Sequence, residues 1–141
     1  AEWLLARSYR RYSTVLGMEW GSALDDRVVS PQQLFTLGGF LKLSGLPSDA
    51  IAGTQYGLAR AIAFRRVSRG GTGFFEFPAY LGVSLEAGNA WATRDDVDWG
   101  DLVMAGSLFL GAESPLGPVY LAAGLSEGGA AGFYLLLGRT F

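Results

Sequence analysis

The chain contains neither cysteine nor histidine. Without cysteine there are no disulfides, thiolate metal sites or thiol nucleophiles. Without histidine the commonest general base and the commonest zinc ligand are missing together. Charge is sparse as well, at 17% of the residues, with a formal net charge of -2 and no basic block, which gives nucleic-acid binding no support. No charge-free apolar run reaches the ~18 residues of a spanning helix, because Glu113, Glu127 and Arg139 cut the most apolar region into pieces of strand length. The hydrolase elbow Gly-x-Ser-x-Gly does not occur. Gly82-Val83-Ser84-Leu85-Glu86 has its first glycine but a glutamate in place of the second. No phosphate-binding loop occurs either. The expectation is a chain that is not an enzyme and uses no cofactor and no metal.

What the chain does have is grease and glycine. Half of its 141 residues are hydrophobic and 21 are glycine, about twice the usual roughly 7%. A single domain of this length and composition must bury nearly everything or face something other than water. The last stretch, GAAGFYLLLGRTF, puts Phe133, Leu135, Leu137 and Phe141 in one phase of a period-2 pattern and Tyr134, Leu136, Gly138 and Thr140 in the other. An exposed apolar strand at a soluble edge invites aggregation. In a closed membrane barrel such a strand is paired on both sides and turns its apolar face to lipid.

The same alternation recurs along the chain. Leu16, Met18 and Trp20 alternate with Gly17, Glu19 and Gly21, which predicts an apolar exterior and places Glu19 inside. The preceding arm, from Glu2 to Tyr12, is ambiguous, because Arg7 shares its phase with Trp3, Leu5 and Tyr9. Residues 25–33 read as a polar loop. Leu34 to Leu43 reads as a short strand with a Gly38-Gly39 pair, followed by a long excursion through Pro47 and Asp49. In the strand from Thr54 to Val67, Gly57, Ala59, Ala61 and Ala63 form a row of small side chains, suited to a crowded interior. Arg60 sits among the bulky residues opposite them, where either a bulge or an inward direction would spare it lipid. Phe77 to Asn89 gives the clearest alternation. Leu81, Val83 and Leu85 lie on one side, Gly82, Ser84 and Glu86 on the other. With strands at 101–112, 119–125 and 131 onward, eight segments of barrel-strand length result. Trp91 and Trp99 flank an acidic loop where an interfacial aromatic girdle would stand. Its Asp95, Asp96 and Asp98 lack the glycine and distal glutamate of a calcium loop, so a solvated loop is expected. Arg65, Arg66 and Arg69 read as a solvated turn at a membrane rim, with contact to anionic head groups or a partner as the functional alternative.

Four stretches, FTLGGFLKLSGL, SLEAGNAW, SPLGP and LLLGRTF, follow one another in this order. Together they resemble the carboxy-terminal barrel half of the BamA/TamA superfamily of outer-membrane assembly and secretion barrels. The likeness is closest to the barrel that follows a patatin-like lipase domain in fusion proteins, and it covers essentially the whole chain. The resemblance implies one outer-membrane β-barrel domain over residues 1–141, in the bacterial outer membrane. Its implied partners are the lipid bilayer, the barrel assembly machinery and, for a half barrel, a second copy of itself; no nucleic-acid partner is expected. It also implies that the loop after the glycine pair folds back into the barrel, and that its tip falls on Leu43, Ser44, Gly45 and Leu46. Ser44 stands where the family has an arginine, and a hydroxyl cannot make the charge-assisted bidentate pair of a guanidinium. The wall acid that this arginine would meet is retained as Glu86. Gly138 and Phe141 form the carboxy-terminal strand signal.

An inward Glu86 needs a partner. If the strands 54–67 and 77–89 pair around a turn centred near residue 73, Arg60 lies across from Glu86. A cluster of Arg60 and Glu86, with Glu19 and Arg7, is expected to replace the missing arginine. The fold expected is an all-β, antiparallel transmembrane barrel of about eight strands with both termini on one side. It is either a complete small barrel, the version favoured here, or half of a sixteen-stranded one. The function expected is a non-enzymatic membrane anchor or translocation barrel. The alternative is a soluble β-barrel that binds an apolar ligand in its interior, which would turn Leu81, Val83 and Leu85 inward.

Overall fold

The computed structural model describes residues 1–23, 34–69 and 77–138. The expected loop 25–33, most of the turn after Ser68, and Phe141 lie outside the described residues. Seven strands form one antiparallel sheet: β1 (Glu2–Tyr9), β2 (Tyr12–Ser22), β5 (Gln55–Arg69), β6 (Pro78–Trp91), β7 (Val103–Ser114), β8 (Gly117–Ser126) and β9 (Ala131–Leu137). They are ordered β1-β2-β5-β6-β7-β8-β9. Two short strands, β3 (Phe35–Leu37) and β4 (Ile51–Gly53), pair separately in antiparallel fashion. There is no α-helix among the described residues, and no helix long and apolar enough to cross a membrane.

The period-2 pattern decides which side chains share a face, and one face is covered. The segment 38–47, between β3 and β4, lies against it, and Phe40 and Leu41 join Val15 of β2, Ile62 of β5, Phe109 of β7 and Ala122 of β8 in one buried cluster. Tyr134 and Leu136 of β9 pack on the same cluster, so the sheet wraps around the segment from its second strand to its last. We call this the inner face. Glycines let its large rings lie flat. A Cβ on Gly82 would fall 2.3 Å from the ring of Phe109, and one on Gly111 would fall 2.8 Å from Tyr120. The outer face carries the opposite phase of each strand. Leu16, Met18, Leu81, Val83, Leu85, Met104, Leu108, Leu121, Leu125, Phe133 and Leu135 are all exposed there.

Four expectations are corrected. The stretch from Leu34 to Leu43 is not a wall strand. Only Phe35–Leu37 is extended, and the chain then leaves through Gly38 and Gly39, with φ of 135° and 99°. The alternation of Leu41 and Leu43 reflects burial of a loop under the sheet, which periodicity cannot tell from a strand. Among the described residues the wall therefore has seven strands, an odd number, so the start of β1 and the end of β9 lie at opposite ends of the sheet and not on one side. The sheet does not close within the chain either, because β1 and β9 have one neighbour each. Finally, Ala59, Ala61 and Ala63 pair with Met18, Leu16 and Thr14 on the outer face, while Leu58, Arg60 and Ile62 turn inward. Arg60 turns inward without a bulge, and the one register shift in β5 lies between Arg66 and Ser68.

Candidate functional site

The candidate site is where the inserted segment is locked to the wall. Its backbone is costly. Leu41, Leu43 and Asp49 have φ of 61°, 74° and 59°, and Gly45 has φ of 99°. A left-handed conformation costs a residue with a Cβ about 1–2 kcal/mol, so the segment does not hold this shape by itself. Burial supplies part of the compensation, since Leu41 and Leu43 are 1% and 0% exposed. The rest comes from polar contacts at the tip.

Ser44 sits directly on Glu86. Its backbone N–H donates to Oε2 at 2.6 Å and its hydroxyl donates to Oε1 at 2.8 Å. The same hydroxyl accepts from the Leu41 N–H at 3.1 Å, which ties the turn to itself. From the wall, Ser84 also donates to Oε1, and its oxygen lies 2.6 Å from that of Ser107 on β7. Since Ser84 gives its hydrogen to the carboxylate, Ser107 must be the donor in that second bond. Glu86 is 1% exposed, and each polar contact it makes is with a donor. A buried carboxylate is tolerated on such terms. The two-point grip thought to need a guanidinium is made by one serine, with its amide as the second prong; only the positive charge is missing.

Two further features seat the tip. A Cβ on Gly124 would fall 2.6 Å from Cβ of Ser44 and 2.7 Å from the nitrogen of Gly45, so only glycine on β8 lets the tip approach this closely. The Gly45 N–H donates to the Tyr134 hydroxyl at 2.8 Å, and that hydroxyl donates to the Leu46 carbonyl at 3.1 Å. The tip thus bridges β6, β8 and β9.

The expected cluster around Arg60 divides. Arg60 is paired with Glu86 in register, but its guanidinium turns the other way, to Glu19 at 2.7 Å and Glu2 at 4.0 Å. The reason is the other cross-strand neighbour, Gly17. A Cβ there would lie 3.1 Å from Nε of Arg60, so the missing side chain opens a lane across β2 towards Glu19. Arg60 Nε is buried without a hydrogen-bond partner among the described residues. Arg7 is not part of the cluster. It pairs with Thr14, in the phase of the outer face, and makes no ion pair among the described residues. Gly138 follows β9 with φ of 110°, and its N–H donates to the Pro118 carbonyl at 2.7 Å.

The acidic loop is occupied by its own turns. Asp96 accepts from the amide and hydroxyl of Thr93, and Asp98 accepts from the Gly100 N–H. Among the described residues no group of three possible metal ligands converges. Ser84, Ser107, Gly124 and Tyr134 were not anticipated from sequence. The signal available was a small polar or glycine residue repeated in the inner phase of β6, β7 and β8.

Together these features define the class of molecule: an antiparallel, open β-sheet whose inner face is plugged by its own inserted loop, fastened at a buried carboxylate. Family models, curated proteins and solved structures all gave no match to the chain.

Proposed function

We propose that this chain is the wall of a non-enzymatic barrel in the bacterial outer membrane, one that anchors, or helps to move, an attached or partner domain. The observation that carries this reading is the outer face. Apolar side chains stand exposed on it from β1 to β9, with Leu85 at 67%, Leu121 at 57% and Leu135 at 77%. All four tryptophans of the chain belong to the end of the sheet with the long connections. Trp3 and Trp20 stand in the outer phase, and Trp91 and Trp99 meet beside Gly57 with ring centroids 6.0 Å apart. At the short-turn end, Tyr9 and Tyr12 pair on the same face. From Tyr12 to Trp20 the strand rises about 27 Å, or about 20 Å at a barrel-like tilt, close to the apolar band of about 25 Å in outer-membrane barrels.

The plug bears on barrel size. An eight-stranded ring is just filled by its own side chains, which leaves little room for a further inserted segment. A larger ring, completed by strands of a second half or a second copy at β1 and β9, accommodates it and removes both open edges. Lipid and the barrel assembly machinery are then the partners. The rival reading, a soluble barrel with an apolar ligand inside, needs Leu81, Val83 and Leu85 on the inner face, where this sheet puts Gly82, Ser84 and Glu86.

Leu85→Arg tests the proposal. Leu85 is near the middle of β6, so in a lipid bilayer the substitution should lower unfolding free energy by about 2–4 kcal/mol. Equal stability of the two proteins in urea titrations from vesicles, or a wild-type chain that stays monodisperse without detergent, would overturn it.

A further inference from the structure

The two ends of the sheet differ in charge. Among the described residues, the end with short turns carries Arg7, Arg10, Arg11, Arg65 and Arg66 against the single carboxylate of Glu113. The other end carries Asp95, Asp96, Asp98, Asp101 and Glu127 against Arg94. On the inner face of the basic end lies a cavity of about 570 Å³, within the range of small-ligand sites. Arg10 and Arg11 of the β1–β2 turn and Arg66 of β5 line it, the Arg10 guanidinium resting 5.5 Å from the Tyr9 ring and that of Arg66 5.5 Å from the Tyr80 ring, while Tyr80, Tyr120 and Phe109 supply flat apolar walls. None of the three guanidinium groups forms an ion pair among the described residues. Arg66 donates to the Tyr80 hydroxyl at 3.1 Å, and as acceptor Tyr80 keeps its own O–H to donate.

The turn itself departs from the economical choice. Arg10 has φ of 57° in a two-residue hairpin connection, a position where Asn or Gly is the usual occupant. Two adjacent like charges at a strained tip, beside a cavity lined by a third, work against stability. Such local costs concentrate at functional sites.

We propose that this cavity binds a phosphate monoester with a flat apolar body, the phosphate held by Arg10, Arg11 and Arg66 and the body lying against the aromatic walls. Guanidinium groups match phosphate oxygens through two parallel bonds, and three of them beside one carboxylate favour a dianion. The site goes beyond the membrane reading and does not depend on it, since the cavity is on the inner face.

The test is a titration of the full chain, in uncharged detergent, with 1-naphthyl phosphate followed by its fluorescence. Saturable one-site binding is expected, tighter than for inorganic phosphate or 1-naphthol. Arg66→Gln should weaken it about tenfold or more. Arg10→Gly should weaken it without lowering the unfolding temperature, because glycine accepts the left-handed backbone freely. Circular dichroism of both variants controls for folding. No saturable binding, equal binding of 1-naphthol, or affinity unchanged in the folded variants would overturn the proposal. So would displacement of the probe by hexaglutamate at lower concentration than by inorganic pyrophosphate, which would assign the cavity to an acidic peptide.

Discussion

The inner and outer faces of this sheet are built from the same seven strands, yet they are specified in different ways. On the inner face several positions are each tied to a particular atom. Glu86 is fitted to Ser44 and Ser84, Gly17 to Arg60, Gly124 to the Ser44 backbone, and Gly82 to the Phe109 ring. On the outer face Leu, Val, Met and Phe alternate with small residues, and no polar partner constrains them. The inner face needs complementarity of donors, charges and volumes, whereas the outer face needs only to be apolar. Mutational cost should therefore depend on the face far more than on the strand.

The largest effect is expected at Glu86. Glu86→Ala strands the Ser44 N–H, the Ser44 hydroxyl and the Ser84 hydroxyl in a buried site, and it releases a loop held in a strained conformation. A loss of about 3–5 kcal/mol is expected, read by urea unfolding monitored through tryptophan fluorescence. Proteolysis of the segment 38–47 should rise in parallel. If stability and protease resistance are both retained, the loop is fastened by apolar burial alone.

Arg60→Leu should come second, at about 1–3 kcal/mol. It removes the partner of Glu19, whose side chain is 17% exposed and so is partly rescued by water, while Glu86 keeps its own donors. The measured unfolding temperature should fall less than for Glu86→Ala. A larger fall would mean that Arg60 also stabilises the Glu86 site, contrary to the division described above.

The smallest effect is expected at Leu108→Met on the outer face, where the side chain is 55% exposed and the volume is conserved. Under about 0.5 kcal/mol is expected in the same assay. A cost of more than about 1 kcal/mol would show that the outer face, like the inner one, is packed against a specific partner, and would end the contrast between them.

Much of the wall is legible from sequence, because alternation and glycine content carry it. Glu19 and Glu86 could be assigned to the inner phase, and the register of Arg60 against Glu86 followed from the turn around residue 73. The direction of Arg60 could not be read, since it depends on the empty lane over Gly17, on a strand whose neighbour in the sheet is more than thirty residues away in the chain. Nor could the role of Ser44 be read. By residue type it looks like a lost contact, and only the placement of its backbone N–H beside its own hydroxyl restores a two-point grip. The stretch from Leu34 to Leu43 misled for a related reason. An apolar loop buried under a sheet and an apolar strand within one satisfy the same hydrophobic count.

By itself, then, the sequence determined an all-β antiparallel wall with one greasy and one polar-and-small phase, because side-chain period is a local property of extended backbone. Tertiary structure alone decided that the wall has seven strands among the described residues and stays open, and that a serine fastens the loop. Those outcomes depend on distances of two to three ångströms between atoms far apart in the chain, and pairing along the sequence does not encode such distances.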